Sequence, residues 1–233
     1  MKKFLIVISI VLIFLCASAI VFVKYNALHT NNKPTTSSQS PDNINFTYFY
    51  PENLHQEIHK IDYTNGAKQA YQNGKAYYIT LLDSNEQVIY FIDAHSDDFS
   101  DWLTEDDTYN SLKKRCNEQN NFIIGCKELN INGIPMIMIS EEGGMEGSLL
   151  FQNFVVFRNE NSEYKNVLIY FNLPSVNSYI EKNYDATTAN PDLLNVLDRY
   201  GKNILSGKYE SFSPQDQKVL NGFQDLIKSI KLK

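Results

Sequence analysis

Hydrophobic and polar positions divide the chain into three regimes. Residues 4–23 read FLIVISIVLIFLCASAIVFV, twenty positions without a charge. Residues 25–44, YNALHTNNKPTTSSQSPDNI, are rich in Asn, Ser, Thr and Pro and have no periodic apolar positions. From Asn45 onward, short β-branched and aromatic runs alternate with turn residues, and later apolar stripes recur at helical spacing.

Within that third regime the strand patterns are dense. An aromatic run at 46–50 is stopped by Pro51. Runs at 75–82 and 87–92 are joined by Asp83-Ser84-Asn85-Glu86, which predicts a hairpin. Runs at 122–129 and 135–140 flank Asn130-Ile131-Asn132-Gly133, whose Asn-Gly suits a tight reversal. Runs at 149–158 and 164–172 flank a third turn at 159–163. Helical spacing is expected over 98–117, where Trp102, Tyr109, Leu112 and Cys116 share a face. Asn190-Pro191 and Ser213-Pro214 read as N-cap and first residue of two more helices. Leu193, Leu194, Leu197, Tyr200 and Ile204 form the stripe of one, and Leu220, Phe223, Leu226, Ile227 and Ile230 that of the other. The order predicts one α+β domain over 45–233, an antiparallel sheet flanked by helices.

The uncharged segment changes the picture of where that domain works. A twenty-residue helix spans about 30 Å, the thickness of a hydrocarbon core. Lys2 and Lys3 precede it, which predicts that the carboxyl side is translocated. Residues 1–24 therefore read as a signal-anchor or transmembrane segment and 25–44 as a flexible linker. The expected location is the inner (cytoplasmic) membrane, single pass, with the C-terminal domain in the periplasm or extracellular. The alternative is secretion after cleavage following Ala19, since Ala17-Ser18-Ala19 has the small-x-small pattern. The run continues through Ile20, Val21, Phe22 and Val23, which favours the anchor. Cys16 follows Leu15 rather than a small residue, so it reads as a membrane-buried apolar residue rather than a lipid attachment point.

Charge narrows the partners. Taking Lys2, Lys3 and Lys24 from the 21 basic residues leaves 18 against 27 acidic ones, a net charge of −9 outside the membrane. That surface repels phosphate backbones, so no nucleic acid is expected. Anionic headgroups are repelled too, and contact with the lipid bilayer is expected through residues 4–23 alone.

Cys116 and Cys126 are the two cysteines outside the membrane segment. In an oxidising compartment they are most simply a disulfide. A metal or redox pair is the alternative, although nine intervening residues match neither spacing. His55 and His59 would share a face on a helix and hold a metal there. Pro51 and the turn at 63–66 crowd that segment, and the plainer expectation is two polar residues on a solvated loop. Asp93, His95 and Asp97 offer carboxylates and one imidazole to a divalent cation, whereas the plainer reading makes the acidic run a helix N-terminus. Glu141, Glu142 and Glu146 lie among glycines in what reads as a long hairpin loop, a candidate for binding a partner or a cation. No Gly-x-Ser-x-Gly elbow and no phosphate cradle occur. No catalytic residue and no cofactor is implied, a divalent cation being the alternative.

FYPENL at 49–54, INGIPMIMIS at 131–140, the strands FQNFVVFR and NVLIYFN, and the closing FQDLIKSIKL at 223–232 resemble the PsbP-like fold and its DcrB-like envelope domains. That resemblance implies an α/β/α sandwich acting as a binding or assembly module rather than an enzyme. The expected function is a membrane-tethered, non-enzymatic module that binds another envelope or periplasmic protein, for instance as an immunity protein against a delivered toxin. Two other classes stay open: a metal-dependent hydrolase of the envelope, and a small-molecule or lipid carrier.

Overall fold

A computed structural model of the 233-residue chain describes residues 36–37, 44–63, 73–99, 108–118, 123–143, 149–184 and 191–233. Its centre is a seven-stranded, wholly antiparallel sheet built from two meanders. Two-residue strands β1 (Thr36–Ser37), β2 (Phe46–Thr47) and β3 (Phe49–Tyr50) precede it. The first meander is β4 (His55–Asp62), β5 (Lys75–Leu82) and β6 (Val88–His95). The second is β7 (Ile123–Ile131), β8 (Ile134–Gly143), β9 (Leu150–Arg158) and β10 (Asn166–Phe171). β10 pairs with β6, giving the order β4-β5-β6-β10-β9-β8-β7.

Period-two alternation makes both faces of this sheet readable. On one face, Tyr77, Ile79 and Leu81 of β5 join Ile92 and Ala94 of β6, Val167 and Ile169 of β10, and Val155 and Phe157 of β9. Three helices supply the other half of that core: α2 (Pro174–Asn183), α3 (Pro191–Ser206) and α4 (Pro214–Ser229). The short β11 (Lys231–Leu232) then pairs with β2 and closes the chain onto its own start. On the opposite face, α1 (Tyr109–Glu118) presses Leu112 against Ile137, Ile139, Phe154, Val156 and Leu168.

Local chemistry explains the boundaries. Ser213 caps α4, its hydroxyl accepting from the Asp216 amide, and Pro214 occupies the first turn where no donor is lost. The β7–β8 reversal is a two-residue turn in which Asn132 (φ 55°) and Gly133 (φ 82°) are both left-handed, as a hairpin turn of that length requires. Cys116 and Cys126 are bonded, tying the end of α1 to β7.

Four sequence expectations need correction. The segment with His55 and His59 is a strand, not a loop, because β5 offers it a full edge to pair with from His55↔Leu82 to Asp62↔Lys75. The first helix does not begin at Asp98. Asp97 and Asp98 lie in a turn, and Thr108 caps α1 by accepting from the Ser111 amide. Glu141 and Glu142 belong to β8 rather than to the loop after it, since β8 and β9 stay paired as far as Gly143↔Leu150. The fourth is α2, a helix where none was expected, opened by Pro174 and buried through Val176 and Ile180. Glu146 and residues 4–23 lie outside the described residues. Among the described residues no helix is long and apolar enough to cross a membrane.

Candidate functional site

The end of β6 concentrates the domain's polar chemistry. Asp93 and His95 are two apart on that strand and therefore share a face. Each is about 1% exposed, and His95 Nδ1 lies 3.1 Å from Asp93 Oδ1. The Phe99 ring tilts across His95 at 5.5 Å and stacks with Tyr63, closing the site from outside. Gly74, at φ +81°, sits where a Cβ would strike the Phe99 backbone, so the chain there admits no larger residue. His95 Nε2 has no hydrogen-bond partner. A buried carboxylate thus orients a buried imidazole whose second nitrogen has no hydrogen-bond partner.

Asp97 stands apart from that pair. Both its carboxylate oxygens accept from the Arg158 guanidinium, at 2.7 and 2.8 Å, and Oδ1 also accepts from Asn166 Nδ2. The Arg158 hydrogen bonds hold its pKa down at about 2. Arg158 Nε donates to Glu160 as well, and Lys75 donates to Glu163 at 2.7 Å. Lys75, Asp97 and Glu163 of this network line an open pocket of about 330 Å³ together with Ser96, Asp98 and Lys165. The structure therefore brings Asp93 and His95 together and directs Asp97 to a neighbouring surface network. Arg158, Lys75 and Lys165 were not singled out from sequence, because their partners are 61, 88 and 68 positions away.

The carboxylates at the far end of β8 diverge. Glu141 pairs with Arg115 of α1 at 3.0 Å. Glu142 points to the opposite face, where burial and the nearby Asp198 carboxylate push its pKa up. One of its oxygens, the Ser140 hydroxyl and the Asn153 carbonyl oxygen are buried without hydrogen-bond partners there. Gly201 of α3 makes this possible: a Cβ at that position would collide with the Ser140 hydroxyl.

At the other end of the sheet, β4 is the outermost strand. Six of its eight residues are exposed, Ile58 by 42% of its surface. His55 and Glu57 face the same way, and the Glu86 carboxylate approaches His55 Nε2 to 3.2 Å. A second pocket, of about 140 Å³, opens beside Tyr90, whose hydroxyl donates to the Val219 carbonyl. No family model, no curated protein and no solved structure matches this chain. The likeness to PsbP-like and DcrB-like domains accordingly rests on the quoted segments alone.

Proposed function

We propose that this chain is a membrane-tethered envelope protein whose domain binds another envelope protein by strand addition along β4. The observation that carries the reading is that open edge. β4 pairs along its whole length with β5 and, among the described residues, with nothing on its other side. Such an edge offers a row of backbone donors and acceptors to an extended segment of a partner. β7, the opposite edge strand, is bonded to α1 by the disulfide and in contact with α3. Export is supported by the Cys116–Cys126 bond, a feature of oxidising compartments, and by the uncharged segment at 4–23. The acidic surface would steer a basic partner toward the domain.

Ile58→Lys tests the docking edge, because a charge at its centre opposes strand addition while the site is already half in water. The full chain and the variant are each used to recover interacting proteins from native membranes at low salt. The reading predicts a protein recovered by the parent and at least about tenfold depleted with the variant, at unchanged melting temperature. Equal recovery by both, or recovery of none, would remove β4 as the binding surface. Export is read separately with a carboxyl-terminal reporter active only outside the cytosol, and an inactive fusion would overturn that part.

A further inference from the structure

β4 and the β5–β6 turn carry three metal-capable side chains to one place. His55 and Glu57 project from the same face of β4. Register puts His55 opposite Leu82, at the base of the turn that carries Glu86. His55 Nε2 and a Glu86 oxygen are 3.2 Å apart, and one ligand atom from each of His55, Glu57 and Glu86 lies within 4.8 Å of the others. His59, the next residue along that face, reaches to 3.8 Å from Glu57.

The backbone at Glu86 gives a separate reason to look here. Asp83 and Gln87 close a three-residue loop, and the Glu86 amide donates back to the Asp83 carbonyl. Loops of that length end in a left-handed residue, a place normally given to glycine. Here it is Glu86, at φ +61°. A non-glycine residue in that conformation costs stability that an exposed His–Glu contact offsets poorly. Glu86 is thus a side chain standing where the backbone favours glycine.

Donor chemistry defines the ligand. One imidazole with two carboxylates suits a borderline divalent ion, whereas Mg²⁺ and Ca²⁺ favour all-oxygen sites. With metal–ligand bonds of about 2.0 Å, tetrahedral donors sit about 3.3 Å apart. The His55–Glu86 pair is already at that spacing, and rotamer changes of exposed side chains can close the remainder.

We propose that His55, Glu57 and Glu86 form a three-ligand site for a divalent cation of the zinc class on the open edge of the sheet. Its fourth position is left to water or to a group on a bound molecule. The site does not depend on strand docking at β4, and its test uses no partner. The full chain, stripped with chelator and kept non-reducing so that Cys116 and Cys126 stay bonded, is titrated calorimetrically with Zn²⁺, Mg²⁺ and Ca²⁺. One Zn²⁺ per chain is expected, with no comparable Mg²⁺ or Ca²⁺ binding. His55→Ala and Glu86→Gly should each weaken Zn²⁺ binding on the order of tenfold or more. Glu86→Gly should melt no lower than the parent, since glycine relieves the backbone, which separates a lost ligand from a lost fold. No stoichiometric Zn²⁺ uptake, or equal affinity in the parent and both variants, would overturn the site.

Discussion

Two halves of one sheet face obey the same geometry and carry different chemistry. A row of paired residues crosses all seven strands as Glu128, Ile137, Val156, Leu168, Asp93, Tyr78 and His59. The next row runs Cys126, Ile139, Phe154, Tyr170, Phe91, Thr80 and Glu57. From β8 to β10 both rows are mainly apolar, and α1 seals them. From β6 to β4 they turn aromatic, hydroxylic and titratable. The reverse face makes this affordable: behind Asp93 and Tyr78, Ile79, Leu81, Ile92 and Ala94 are fully buried under the other helices. One half of the face is therefore committed to stability, while the other is released from it.

Phe154 and Phe91 are the sharpest test, being the same residue type in the same row with only Tyr170 between them. Phe154 is 1% exposed beneath α1, whereas Phe91 is half-buried. Phe154→Ala should lower unfolding stability by about 3–5 kcal/mol, the range for a filled core position. Phe91→Ala should cost about 1–2 kcal/mol, because less apolar area leaves water there. Urea denaturation measures both, and equal losses would break the distinction between the halves. The disulfide comes next. Replacing Cys116 and Cys126 together by Ser should cost roughly 2–3 kcal/mol, the value for freeing a loop of this length in the unfolded chain. A loss well under 1 kcal/mol would mean that Leu112 packing alone holds α1 in place.

Legibility in the sequence follows the same division. Strands of the sealed half read as near-continuous apolar runs, and β9 was readable from Leu149 to Arg158 because its two faces meet two different cores. Asn132-Gly133 announced its turn by chemistry alone. β4 was not legible, since an edge strand wet on both faces has no apolar period to display. α2 offered Pro174, Val176 and Ile180, a short signal at helical spacing that a ten-residue helix barely extends. The Cys116–Cys126 bond could be read from cysteine count and spacing. The Asp97–Arg158 pairing could not, because it joins a turn to a strand 61 positions later, and local pattern carries no record of such a distance.

That pairing is also the seam between the two halves, and it gives the smallest effect. Asn166 of β10 lies between them, opposite Arg158 on one side and His95 on the other. It donates to Asp97, and its carbonyl accepts from the Tyr109 amide at the start of α1. The Asp97 pKa is depressed from 3.8 to about 2 in the folded protein. A depressed carboxyl stabilises the fold above its unfolded pKa and loses that contribution as pH falls through the folded value. Asp97→Asn should therefore be less stable than the parent at pH 5, with the gap narrowing below about pH 4 and closing near pH 2. Asp97 is half in water, so the gap at pH 5 should be under about 1 kcal/mol, as for solvent-screened ion pairs. Urea midpoints taken at steps between pH 5 and pH 2 read it directly. No gap at any pH across that range would mean that the seam is held by Asn166 hydrogen bonds, which the asparagine variant can still make, rather than by charge.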